Sequence, residues 1–282
     1  CGGENILLLE ECIMKAKTIA LVNQKGGVGK TTTTLNLGAC LAEQGKKVLL
    51  VDLDSQGNLT YCCGNKEKDL DVIPNTMAEL IEAQIRQKEY NIRDYIKTYE
   101  NMSYIACNVL MADVEMLLIT ATEREFILKE ILEPLKEEYD FIILDCGPTL
   151  GIFMLNALVA ADSVLIPSET ETFSAVGLEQ LIKSVLRTRK RLNPNLDIDG
   201  ILFTKVTEAF QITKKYMQQI HEKYGEFIPI YDFVIPRLTE VSKAIDENQP
   251  LIDYKDERIK PGKSTVAQMY RKLAKEVIVN GK

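Results

Sequence analysis

The chain has 282 residues, 46% of them hydrophobic and 27% charged, a balance that suits one large globular α/β domain or two small ones. Its 34 basic and 41 acidic residues leave a formal net charge of −7, which excludes a protein that coats nucleic acid with its whole surface and leaves room only for a local basic patch. No apolar run reaches the ~20 residues of a membrane span, and seven cysteines at irregular spacing, without a C-x-x-C pair, read as reduced thiols of a cytoplasmic protein.

Met14 stands just before the first strand and looks like a natural start. Residues 1–13 lack the basic region of a signal peptide. They are expected to be an N-terminal extension or expression-derived residues, outside a domain spanning 14–282.

Residues 18–22 form an apolar run that predicts a short buried strand. Residues 33–44 place Leu35, Leu37, Cys40 and Leu41 at helical spacing and stop at Gly45. Between them lie Lys25, Gly26, Gly27, Val28, Gly29, Lys30, Thr31 and Thr32. Strand, glycine-rich turn and helix make the setting of a phosphate-binding loop, in which backbone N–H groups and the positive end of the helix face an anion. Lys30 is placed to reach the β- and γ-phosphates, the Thr31 hydroxyl to ligate Mg²⁺, and Thr32 to bond an inner phosphate.

Residues 47–54 predict a second strand, apolar throughout and so covered on both faces, that ends in Asp52 and Asp54. Ligands of such sheets sit at the carboxyl ends of the strands. Helices are expected over 76–88, capped by Thr76, and over 112–119 and 123–138, the last kinked at Pro134; a strand is expected over 103–107. The apolar strand 141–145 closes on Asp145, a Walker B pattern whose acid holds a magnesium ion or its bound water. Alternation continues with strands at 163–167, 198–204 and 233–237, a helix closing over 155–160, and helices at 174–192, 240–248 and 263–279. No internal repeat, low-complexity tract or linker splits off a second domain.

The glycine-rich loop departs from the plain G-x-x-x-x-G-K-[ST] pattern. Gln24 replaces the first glycine, and Lys25 adds a second lysine. The resulting KGGVGKTT resembles the deviant Walker A motif of the ParA/MinD family of P-loop ATPases. From about Met14 to the end the chain is similar to ParA/Soj-type partition ATPases, most strongly over 18–60, 139–180 and 233–237. The fold expected is a single α/β P-loop NTPase domain, with a mostly parallel twisted sheet of seven or eight strands and helices on both faces.

The resemblance implies ATP and Mg²⁺ as ligands, and ATP hydrolysis coupled to homodimer formation. Lys25 would reach across the dimer to the second copy's phosphates. Asp54 would orient the attacking water, and Asp52 would help organise the magnesium shell. Glu171 would stand at the nucleotide-facing dimer edge, and Pro236, in an I-P-R segment, near the adenine. Ser55 and Gly147 stand where relatives commonly carry proline. Non-specific DNA, nucleoid association and a ParB-type stimulating protein are the implied partners. Two basic clusters, Arg187 with Arg189, Lys190 and Arg191, and Lys214 with Lys215, could supply the DNA patch.

The nearest alternative is a MinD-like ATPase that works on membrane, for which Val266, Met269, Tyr270, Leu273 and Val277 would have to form an exposed amphipathic face. A cluster-carrying relative of the nitrogenase iron protein would need paired cysteines beyond the Walker motifs. An ATP-binding scaffold with little turnover is the third alternative.

Overall fold

Strands that are apolar on both sides must be covered on both sides, and that requirement sets the architecture. A computed structural model describes residues 15–64, 73–170, 174–207, 211–254 and 265–280. The expectations for residues 1–13, Met14 and Glu171 lie outside them. The strands are β1 (Lys17–Leu21), β2 (Val48–Leu53), β3 (Ile96–Tyr99), β4 (Met102–Ile105), β5 (Phe141–Cys146), β6 (Ser163–Glu169), β7 (Asp197–Val206) and β8 (Ile230–Pro236). They form one eight-stranded sheet in the order β3-β4-β2-β5-β1-β6-β7-β8. All neighbours run parallel except the hairpin β3–β4 at one edge.

Alternate residues of the central strands enter two separate cores. Ala20, Leu49, Val51, Ile142 and Leu144 pack under α3 (Met77–Ile85), α4 (Met111–Thr120), α5 (Ile127–Leu132), α6 (Ile152–Ala160), α7 (Ser174–Arg191) and α8 (Gln211–Tyr224). Ile19, Leu21, Leu50 and Ile143 pack under α1 (Lys30–Glu43), α2 (Asn58–Cys62), α9 (Thr239–Asp246) and α10 (Thr265–Asn280). The expected single α/β domain is therefore present, with eight strands.

Thr76 caps α3 as expected, in a reciprocal capping box with Glu79. The helix expected over 123–138 is instead divided. Glu123 turns to φ 50°, α5 begins only at Ile127, and Glu133–Leu135 is a 3₁₀ turn. Pro134, which has no N–H to donate, accounts for the break. The hairpin strand β3 and the helices α2 and α8 are additions to what the sequence predicts.

The stripe on α10 belongs to the core. Val266, Tyr270, Leu273 and Val277 are buried, and Tyr270 meets α1 through a 3.2 Å hydroxyl–hydroxyl bond with Thr33. Arg271 clamps Glu43 of α1 with Nε and Nη2 at 2.7 and 2.8 Å. An exposed membrane-binding face is thus not what this stripe provides. Among the described residues no helix is long and apolar enough to cross a membrane.

Candidate nucleotide site

β1 ends in the glycine-rich loop, and α1 starts from it. Gly27 and Gly29 adopt φ of 76° and 89°, left-handed backbone that glycine takes without steric cost. Nothing lies within 4 Å of the positions where a Cβ would project from Gly26 and Gly27, so the loop leaves room for a phosphate against its backbone. Behind it Thr204 donates its hydroxyl to Val28 O at 2.7 Å. Asn23 donates Nδ2 to Pro167 O at 2.6 Å and accepts Lys25 N–H at 2.9 Å.

The loop's two lysines take different environments. Lys30 is buried, with Nζ donating to Asn23 O at 3.1 Å and Lys25 O at 3.4 Å. Burial draws its ammonium below the usual lysine pKa, while Asp145 and Asp54 pull the other way. Lys25 stands at the rim, and its Nζ meets Glu169 Oε2 at 2.8 Å. Lys205 approaches Glu169 Oε1 at 3.4 Å and also donates to Gly27 O.

Three carboxylates face this cradle from the strand ends. In the β2–β5 register Asp52 lies beside Asp145, and both are buried. Asp145 accepts Thr31 Oγ1 at 2.7 Å and Thr34 Oγ1 at 3.3 Å. Burial, reinforced by Asp52, pushes its carboxyl up to about 8 against Thr31 and Lys30. Asp52 is pushed up to about 6, again by burial. Its Oδ2 accepts Thr60 N–H at 2.8 Å and Thr60 Oγ1 at 2.7 Å, and its Oδ1 accepts Asp54 N–H at 3.1 Å. Asp52 therefore holds the turn that carries Asp54.

Asp54 is half-buried, with Oδ1 accepting Gln56 N–H at 3.1 Å. A Cβ at Gly147 would sit 3.5 Å from its carboxyl carbon, so the turn after β5 and the turn after β2 touch. The Thr31 hydroxyl with one or two hard carboxylate oxygens is a donor set suited to magnesium completed by phosphate and water. Thr32 follows Thr31 in the first turn of α1, and Pro236 ends β8 opposite Val206, next to Lys205.

The structure thus gathers Lys25, Lys30, Thr31, Asp52, Asp54 and Asp145 around one loop. It adds Asn23, Glu169, Thr204 and Lys205, which sequence alone does not place there. Glu169 ends β6, and the neighbour relation of β6 with β1 and β7 that gives it its place is non-local. The two basic clusters are separated. Arg189, at the end of α7, meets Asp197 at 3.4 Å where β7 begins, whereas Lys214 and Lys215 are the fourth and fifth residues of α8, the helix that follows β7. About 30 Å of strand lies between the two.

Comparison with known proteins decides the family. The family described as AAA domain matches residues 16–198. The sporulation initiation inhibitor protein Soj of Bacillus subtilis strain 168 is 40% identical over 267 residues, which is 94% of this chain and 99% of that protein. The chain belongs to the Soj/ParA family of P-loop ATPases. Within that family, the chromosome-partitioning ATPase Soj of Treponema pallidum is 36% identical over 93% of this chain and 97% of its own length. Among solved structures, cobyrinic acid a,c-diamide synthase from Mycobacterium smegmatis with bound ADP and magnesium superposes with a TM-score of 0.78 at 29% identity. It covers 95% of this chain and 97% of its own. In Soj/ParA terms, the β1–α1 loop is the Walker A element and the end of β5 the Walker B element.

Proposed function

We propose that this Soj/ParA-family chain is a magnesium-dependent ATPase that pairs on ATP, binds DNA non-specifically as that dimer, and serves partition with a ParB-type partner. One observation carries the reading. Lys30 is buried under its own loop, whereas the Lys25 side chain is 37% exposed at the rim. An inward lysine suits the phosphates of its own protomer, and a rim lysine suits those of a second copy placed opposite.

Lys30 and the amides of residues 26–31 would hold the phosphates, and Thr31 with Asp145 would hold the magnesium. When bound, that ion neutralises charge on the γ-phosphoryl group. Asp54 would orient the attacking water, and Asp52 would keep its turn in place through Thr60. The ADP and magnesium of the M. smegmatis synthase structure support this choice of ligands. Glu171 and Pro236 belong to the same proposal, at the dimer edge and the adenine respectively.

For DNA, the exposed Lys214 and Lys215 are the favoured pair. They lie at the end of the sheet that carries the site, so pairing two site faces would bring two copies of them together. ATP-dependent DNA binding would place the dimer on the nucleoid. The membrane alternative has less support, because the α10 stripe is committed to the core.

Size exclusion with ATP and magnesium, coupled to phosphate release, tests the reading. The wild type is expected to shift to a dimer and hydrolyse ATP. Lys25→Ala is expected to bind ATP, remain a monomer and release no phosphate. A Lys25→Ala protein that pairs and hydrolyses like the wild type overturns it.

A further inference from the structure

Resting on the reading that Lys25 acts across a dimer, we propose that Lys205 is a positioning residue that makes Lys25 transferable. It stays on Glu169 when Lys25 leaves for the second copy. Glu169 ends β6 with a side chain only 12% exposed, and its two oxygens are divided between two cations, Lys25 at 2.8 Å and Lys205 at 3.4 Å. A carboxylate this enclosed is costly to leave charged and alone. Were Lys25 its sole cation, every release of Lys25 would strand that charge. With Lys205 on the other oxygen, the charge of Glu169 stays compensated after Lys25 leaves it.

The backbone is shaped for this arrangement. Thr204 is the register partner of Glu169 across β6–β7. Lys205, the next residue, turns to φ 53° within a register shift between Phe203 and Val206. That turn aims its ammonium at both Glu169 and Gly27 O. The same side chain thus holds the loop backbone while balancing the acid.

The test is a double-variant cycle read by sedimentation with ATP and magnesium. Lys205→Asn deletes the ammonium with a residue that tolerates left-handed backbone. It is expected to raise the protein concentration needed for pairing by about tenfold, the scale of one charge-assisted contact. Glu169→Gln needs no cation and is expected to pair at severalfold lower concentration than the wild type. The double variant is expected to lose the Lys205→Asn defect.

If Lys205 only braced the loop through Gly27, the double variant would remain as impaired as Lys205→Asn alone, and that result overturns the proposal. So does a Lys205→Asn protein that pairs like the wild type. Should Lys205→Asn fail to fold, Glu169→Gln carries the test, and unchanged pairing in that variant counts against the inference. Failure of the wild type to pair at all, or normal pairing by Lys25→Ala, instead overturns the dimer reading beneath it.

Discussion

Thr31 donates its hydroxyl to Asp145 Oδ2 at 2.7 Å, joining the first turn of α1 to the end of β5 across 114 positions of sequence. In the proposed site a metal ion here would take the Thr31 hydroxyl oxygen as a ligand and would be held by Asp145 directly or through water. Thr31→Ala should therefore keep metal-free ATP binding within about twofold and lose about tenfold or more of the gain from magnesium. Calorimetry with magnesium and with a chelator measures both. An undiminished magnesium effect in the variant would remove Thr31 from the metal site.

The task proposed for Asp54 is different, and its turn is held in place by Asp52 and Thr60 rather than by the loop. Asp54→Ala should bind ATP and pair, then release phosphate at least about a hundredfold more slowly, the usual effect of removing a group that handles the attacking water. Dimer should accumulate on size exclusion with ATP. Rapid return to monomer would contradict the role.

The buried acids make the nucleotide-free protein sensitive to pH. Asp145 sits near 8 when folded, against about 4 for an unfolded aspartate. The folded state holds that proton more tightly, so its stabilisation is complete at low pH and is lost as pH climbs from about 4 to about 8. Asp145→Asn has no proton to lose. The variant's melting temperature should rise steadily relative to wild type between about pH 5 and about pH 8, where the wild type alone loses the stabilisation of that proton. Scanning fluorimetry across the range checks it, and a constant difference would contradict it.

The separated basic clusters give a comparison within one molecule. In the Asp54→Ala background with ATP, Lys214→Ala with Lys215→Ala should weaken DNA binding more than Arg189→Ala with Lys190→Ala. The first pair should also flatten the salt dependence, by about 0.9 in the log–log slope for each DNA phosphate left without its lysine. Titrations of labelled duplex at several salt concentrations decide it. The reverse ranking would move the DNA face to the far end of α7.

Tyr270 tests the assignment of α10. It is 1% exposed and bonded to Thr33, so Tyr270→Phe should cost about 1 kcal/mol and Tyr270→Ala about 3–5 kcal/mol. Urea unfolding measures both. A neutral Tyr270→Ala would mean that the helix does not rest on α1.

The loop was legible because its chemistry is local: Lys25 through Thr32 are contiguous, and glycine spacing speaks for itself. Asp52, Asp54 and Asp145 were legible because each ends an apolar strand. Glu169 and Lys205 were not, since their meaning depends on β6 and β7 lying side by side next to β1, a relation no short window contains. Arg189 and Lys214 looked like parts of one patch because charge can be counted without knowing direction. Only the course of β7 puts them at opposite ends. Pro134 announced a kink, but whether a helix bends or stops there is decided by what it packs against.

The position of β1 has a consequence for how the molecule breathes. β1 and β5 are the two middle strands, walled by partners on either side, so the amides of Ile19, Ala20, Ile142 and Ile143 should exchange with solvent only through global unfolding. The hairpin β3–β4 and the edge strand β8 can open without disturbing them. The phosphate loop and Asp145 thus hang from the slowest-exchanging part of the sheet. A protomer with frayed margins would still present an intact nucleotide cradle.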